Sequence, residues 1–283
     1  MAYTTLISAE DLQALMRSDT PPCVLDCRMR LGDADAGLRL FHQGHLPGAA
    51  HADLENRLVG KRGPGRGRHP LPERDTLAAA LAAFGLNAGQ QLVVYDDQGG
   101  AMAARLWWMA RWVGHRQVAV LDGGIQAWQE IGGELEESVR ARQPGNFVLG
   151  TALVRWLESD EIRQAMDKQA ATLIDARAAA RFRGETEPHD PVAGHVPGAV
   201  NLPFADNLDE RGRFKTAEQL RELYQPLLAS DKPTIAMCGS GITACHTLLA
   251  LELAGLAPAA LYAGSWSEWI TDDTRPVATG TDD

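Results

Sequence analysis

The chain has 283 residues, 45% hydrophobic and 23% charged, with 28 Gly and 15 Pro; this composition excludes a collagen-like, coiled-coil or largely disordered protein and leaves room for about two domains. No apolar run reaches the ~20 residues that a helix needs to cross a bilayer. Lys and Arg total 27 against 37 Asp and Glu, a net charge of −10, which argues against a general nucleic-acid binder but allows a small anionic substrate in a local basic pocket.

The opening segment, MAYTTLISAEDLQALM, has neither a basic n-region nor an apolar h-region, so no secretory signal is expected. Ser8 and Asp11 form a capping box that opens a first helix. PPCVLDCR then reads as a strand, which places Cys23 and Cys27 about 13 Å apart on one face, too far to bridge. Four cysteines without a C-x-x-C pair suggest neither a disulfide framework nor a zinc site, and a reducing cytoplasm is expected. After GHLPGAAHAD comes the stretch GKRGPGRGRHP, Gly60 to Pro70, which carries Lys61, Arg62, Arg66, Arg68 and His69. It reads equally as a solvated loop or as an arm over a site in the other half of the chain. DTLAAALAAF and AMAARLWWMARWV read as helices, QLVVYD and VAVLD as buried parallel strands. The tryptophans beside helical apolar positions, Trp107, Trp108 and Trp112, are expected to pack the core. A polar linker, Glu137 to Phe147, follows. Thr216 and Gln219 then cap the helix AEQLRELYQPLL, PTIAMC is a strand, and ACHTLLALELAG a helix.

The chain is written twice. VLDCR is echoed by LIDAR, GHLPGA from Gly44 by GHVPGA from Gly194 at an offset of 150, and DGGIQAW by AGSWSEW. LVVYDDQGGAMAARLWW matches TIAMCGSGITACHTLLA between them. Two α/β domains follow, each a mainly parallel sheet flanked by helices, over 1–138 and 152–283 with a linker at 139–151. Gly48 to Asp96 spans 48 residues and Gly198 to Cys238 spans 40, so the first copy carries about eight extra, most simply in the Gly60–Pro70 stretch.

Ligands of α/β folds sit where strands end in loops that open helices. In the second copy that junction is Cys238-Gly239-Ser240-Gly241-Ile242-Thr243. Two glycines let the backbone curl so that N–H groups turn inward, and the helix N-terminus adds partial positive charge. Such a setting favours thiolate over thiol and makes Cys238 a candidate nucleophile. The first copy has Asp96 there, which cannot act as one. Cys245 lies about two helical turns, ~10 Å, farther on and is expected to be packing.

CGSGITA, the paired GH-[LV]-PGA motifs and the closing GSWSEW resemble the tandem-rhodanese sulfurtransferases over essentially the whole chain. The resemblance implies two rhodanese-like domains, the first inactive through Asp96. It also implies a Cys238 persulfide that carries sulfur from a small donor to a thiol, thioredoxin among them, or to cyanide, with no cofactor. The neutral Gly239 and Ser240 resemble mercaptopyruvate-type members, whereas thiosulfate-using relatives resemble C-R-K-G-V-T. Ser240 could relay a proton with His69 of the HPLP segment and with Asp53 or Glu55 as the acid. Gly239, Gly241, Ile242 and Thr243 would line the donor site. Arg181 matches a substrate-binding arginine of the family; where the second would stand, the nearest residue is His189, unless Arg183 or an arginine of the basic stretch replaces it. Ala263 also departs from the family's usual Asp. A thiosulfate donor and a persulfide-carrying regulatory module stay open as alternatives. A C-x5-R phosphatase does not, because Ala244 stands where its arginine belongs.

Overall fold

The computed structural model describes residues 2–139, 142–228, 232–256 and 258–280. The first repeat runs β1 (Leu6–Ile7), α1 (Ala9–Met16), β2 (Cys23–Asp26), α2 (Ala36–Gln43), β3 (Ala50–His51), α3 (Arg74–Ala83), β4 (Leu92–Tyr95), α4 (Ala103–Trp112), β5 (Val118–Leu121) and α5 (Gly124–Glu130). The second runs β6 (Trp156–Leu157), α6 (Ser159–Asp167), β7 (Thr172–Asp175), α7 (Ala179–Phe182), β8 (Val200–Asn201), a 3-10 turn at Phe204–Asn207, α8 (Ala217–Tyr224), β9 (Thr234–Met237), α9 (Ala244–Leu253), β10 (Ala260–Tyr262) and α10 (Ser265–Trp269).

Each repeat builds one parallel five-stranded sheet, ordered β1-β5-β4-β2-β3 in the first and β6-β10-β9-β7-β8 in the second. The central strands are apolar on both faces and fully buried, as helix-covered parallel strands must be. In β4 and β9 the registers Asp26↔Tyr95 and Asp175↔Met237 bring the strands to a common C-terminal edge, just before Asp96 and Cys238 respectively. The helices that leave this edge, α4 and α9, are buried on nearly every side, in keeping with sequences that are mostly apolar around the helix. Trp107, Trp108 and Trp112 pack inside as expected.

Thr216 and Gln219 close a reciprocal capping box on α8. At α1 only half of the expected box forms, with Ser8 Oγ accepting from the Asp11 N–H at 3.0 Å. A second full box, Glu158 with Glu161, opens α6. All four cysteines are buried, and none of them is in a disulfide.

The twice-written GH-x-PGA segment is a structural clamp in both copies. His45 stacks on Phe41 at 3.7 Å, with Nδ1 2.8 Å from the Phe41 carbonyl; His195 repeats this on Phe182 at 3.7 Å and 2.8 Å. The strand-end pairs Asp26–Arg28 and Asp175–Arg177 tie in from the side. Arg28 Nη2 donates to the Gly44 carbonyl at 2.7 Å and Arg177 Nη2 to that of Gly194 at 2.8 Å.

Two compact units result. One comprises Met1–Gly60, Leu71–Val154 and Glu210–Phe214; the other comprises Lys61–Pro70, Arg155–Asp209 and Lys215–Asp283. The cut is therefore not the single linker expected at 139–151. Part of that stretch lies outside the described residues. The rest is bound to the first unit, with Gly145 donating to Ala82 at 2.8 Å, Phe147 to Leu86 at 3.1 Å and Gly150 to Val113 at 2.9 Å. The buried ring of Phe147 meets His115 edge-on at 5.3 Å. Phe147 and these backbone bonds make the polar stretch a strap.

Candidate active site

Cys238 follows β9 directly and is 2% exposed. Its N–H donates to Ser265 Oγ at 3.1 Å, its carbonyl accepts from Trp266 at 3.0 Å, and the Gly239 carbonyl accepts from Ser267 at 2.9 Å. The start of α10 thus fixes the first residues of the loop. Gly241 adopts φ +79°, a left-handed conformation that suits glycine. Its N–H donates to Cys238 Sγ at 3.1 Å, a contact that grows stronger as the sulfur gains negative charge. Ile242 is buried and Thr243 is the N-cap of α9. Cys245 packs beneath the loop, with Sγ 3.4 Å from the Gly241 carbonyl.

His69 lies in the same unit as this loop, because Lys61–Pro70 belongs to the second unit. Its Nδ1 is 2.9 Å from Ser240 Oγ, and both residues are 5% exposed. The pair can pass a proton in either direction, according to the imidazole tautomer. The segment is anchored by Arg68 N–H to Ser267 Oγ at 3.0 Å and Gly67 N–H to Glu268 Oε2 at 3.3 Å. Asp53 and Glu55 belong to the first unit. The Asp53 carboxylate accepts from the N–H groups of Glu55 at 3.1 Å and Asn56 at 2.9 Å and so caps its own turn.

Arg181 is held by Glu187, through Nε at 3.1 Å and Nη2 at 2.7 Å. Burial pushes the Glu187 carboxyl up, but the Arg181 hydrogen bond, the His189 N–H and the charges of Arg181 and Arg177 together keep it below the usual range. Glu187 therefore stays ionised and orients Arg181. His189 contributes that N–H, at 3.1 Å, while the residue itself is exposed. A Cβ built on Gly239 would meet Arg68 Nη2 at 3.0 Å and Arg181 Nη2 at 3.2 Å, so these two arginines, and not His189, lie nearest that position. Asp175, Arg177, Glu187 and Asp190 also support the site, and sequence reasoning misses them as site residues. The repeated Asp-x-Arg at Asp26–Arg28 and Asp175–Arg177 is the visible signal for the first two.

The corresponding loop of the first unit is closed by its own side chain. Buried Asp96 accepts N–H bonds from Gln98 at 2.8 Å, Gly100 at 2.9 Å, Met102 at 2.7 Å and Ala103 at 2.8 Å. Burial raises its pKa above the ordinary value, partly opposed by those four donors. The cradle that in the second unit surrounds a sulfur here surrounds a carboxylate.

Comparison with known proteins agrees with this duplicated architecture. A rhodanese-like domain profile matches residues 8–131 and 158–272. A Pseudomonas aeruginosa protein with a provisional name as a 3-mercaptopyruvate sulfurtransferase is 46% identical over 99% of this chain and 100% of its own. A Mycobacterium tuberculosis protein with a provisional name as a thiosulfate sulfurtransferase, SseB, is 40% identical over 98% and 97%. The crystal structure of SseA from Escherichia coli, described as a 3-mercaptopyruvate sulfurtransferase of rhodanese fold, superposes with a TM-score of 0.80 at 33% identity, covering 94% of this chain and 100% of that one. With matches on both repeats and full-length relatives, the chain belongs to the tandem rhodanese-like sulfurtransferases.

Proposed function

We propose that this sulfurtransferase takes its sulfur from 3-mercaptopyruvate. The Cys238 thiolate attacks the donor's sulfur, a sulfur–sulfur bond forms, and the carbon–sulfur bond breaks with its electron pair moving to carbon. The leaving group is the enolate of pyruvate, which takes one proton; Cys238 is left as a persulfide. A thiol acceptor such as thioredoxin or a low-molecular-weight thiol, or cyanide, then attacks the outer sulfur and releases the Cys238 thiolate.

The observation that carries the reading is the 2.9 Å contact between His69 and Ser240, two residues beyond the nucleophile in a loop without cationic side chains. An enolate is a poor leaving group and gains from a proton delivered nearby, typically 10²- to 10⁴-fold (order of magnitude) for a placed acid. Sulfite leaving thiosulfate needs none. A second reading, thiosulfate as donor, draws support from the two guanidinium groups near Gly239, which also suit a dianion, and from the name carried by the Mycobacterium tuberculosis relative.

Side-by-side assays test the choice. Pyruvate release from 3-mercaptopyruvate should exceed thiocyanate formation from thiosulfate and cyanide, and Cys238→Ser should abolish both. Intact mass after donor addition should rise by one sulfur in the wild type alone. Preference for thiosulfate would overturn the donor; turnover by the Ser variant would overturn the mechanism.

A further inference from the structure

Among the described residues, two that are not glycine take a left-handed backbone, Gln169 at φ +51° and Ser265 at φ +54°. Gln169 is exposed just beyond the end of α6, where helices commonly close in this way. Ser265 instead opens α10 and is 0% exposed. A side chain in this conformation costs energy and persists only where its surroundings hold it. The Ser265 hydroxyl donates to the Tyr262 carbonyl at 2.8 Å and, with its hydrogen so used, turns a lone pair to the Cys238 N–H at 3.1 Å. The next two residues continue the grip, Trp266 N–H on the Cys238 carbonyl at 3.0 Å and Ser267 N–H on that of Gly239 at 2.9 Å. The first unit reproduces two of these three points. Ile125 N–H binds the Asp96 carbonyl at 3.0 Å, and the Gln126 side chain binds that of Asp97 at 3.1 Å. The Ser265 point has no counterpart, because Gly124 takes its place where DGGIQAW and AGSWSEW align. Gly124 has nearly the same conformation, φ +59°, and a Cβ there would lie 2.2 Å from the Asp96 carbonyl oxygen. The copy without a nucleophile has an unstrained glycine; the copy with one keeps a strained serine.

We propose that Ser265 is a positioning residue of the sulfur transfer: its hydroxyl fixes the backbone N–H of Cys238 and, through it, the direction in which the Cys238 side chain enters the loop. The inference rests on Cys238 as the nucleophile of the proposed reaction and not on the choice of donor. Without the hydroxyl, the buried N–H of Cys238 loses its acceptor and the residue turns to find another. The sulfur then leaves its place 3.1 Å from the Gly241 nitrogen. The backbone strain at Ser265 is the cost of putting an oxygen there, which glycine cannot do.

The test compares wild type, Ser265→Gly and Ser265→Ala in single-turnover sulfur uptake, followed by intact mass with 3-mercaptopyruvate and, separately, with thiosulfate. Ser265→Gly copies the first unit and adopts φ +54° without strain, which keeps a folded variant in the comparison. Ser265→Ala keeps the Cβ and loses only the hydroxyl. Both should slow uptake at saturating donor by about 10- to 100-fold, as for a nucleophile displaced by up to about 1 Å, with the half-saturating donor concentration changed less than about three-fold. If Ser265→Gly takes up sulfur at the wild-type rate, the hydroxyl positions nothing and the proposal fails, although the donor reading stands. It fails equally if the slowing only matches the fraction of unfolded protein seen by circular dichroism. If the wild type takes up sulfur from thiosulfate alone, the donor reading falls, and the same comparison with thiosulfate decides the part of Ser265.

Discussion

At the scale of single residues, the site divides its work between neighbours. Cys238 supplies the electron pair, and Gly241 donates to its sulfur at 3.1 Å. Ser240 Oγ and His69 Nδ1 lie 2.9 Å apart, and the proposed relay makes them one unit for moving a proton. If so, losing either should cost nearly as much as losing both. His69→Gln and Ser240→Ala should each lower kcat for pyruvate release by about 100-fold, and the double variant by little more. Stopped-flow measurement of pyruvate release would show this; additive losses would separate the two roles. The sequence presents Cys238 clearly, because a glycine-rich turn between a strand and a helix surrounds its sulfur. It presents His69 and Arg68 only as members of a basic, glycine-rich stretch. Nothing local distinguishes a loop histidine from a relay, since the distinguishing partner, Ser240, is 171 residues away.

At the scale of elements, regular patterns are legible and irregular ones are not. Strands and helices follow from apolar runs and periodicity, and the α8 cap from Thr216 and Gln219. The strap over 142–151 reads as part of a linker because its composition is polar, although its backbone bonds and Phe147 bind it to the first unit. The strap makes a pH prediction. His115, whose ring meets Phe147, lies between α4 and β5 with Nε2 3.1 Å from the Gln117 carbonyl. Burial lowers its pKa, partly opposed by backbone carbonyls that would accept its protons. His51 is shifted in the same direction, again chiefly by burial. Between those lowered values and about 6.5 the unfolded chain binds protons that the native one lacks. Stability from these groups is therefore full above pH about 6.5 and lost as pH falls through the lowered values. Thermal unfolding between pH 7 and 5 should show a falling Tm, with a shallower slope in His115→Gln. An unchanged slope would assign the acid sensitivity to other groups.

At the scale of the molecule, one fold occurs twice with the same strand order, and only one copy keeps a nucleophile. The exchange between units is reciprocal. Lys61–Pro70 of the first repeat counts with the second unit, and Glu210–Phe214 with the first. At the offset of 150 that aligns the GH-x-PGA motifs, these segments begin at nearly the same place in the repeat. In the first unit Phe214 donates to Asp122 Oδ1 at 3.0 Å, and Arg213 donates to Glu130 at 2.8 Å. The Asp96 cradle predicts a division of labour. Asp96→Asn would turn an amide NH2 toward two of the four N–H donors and should destabilise the protein by about 2–3 kcal/mol in urea unfolding. Persulfide formation on Cys238 should keep its wild-type rate where the variant is folded. A lost rate with an intact fold would give Asp96 a part in the chemistry.

Duplication, fold class and the thiol were determined by the sequence itself, because repetition, hydrophobic period and loop chemistry are written in residues close together along the chain. Which side chains lie beside the loop of that thiol was decided by the tertiary structure. Arg68 and His69 reach the loop only because their segment, encoded in the first repeat, folds with the second unit. A segment's destination depends on distant partners such as Ser267 and Asp190, and no local pattern encodes it.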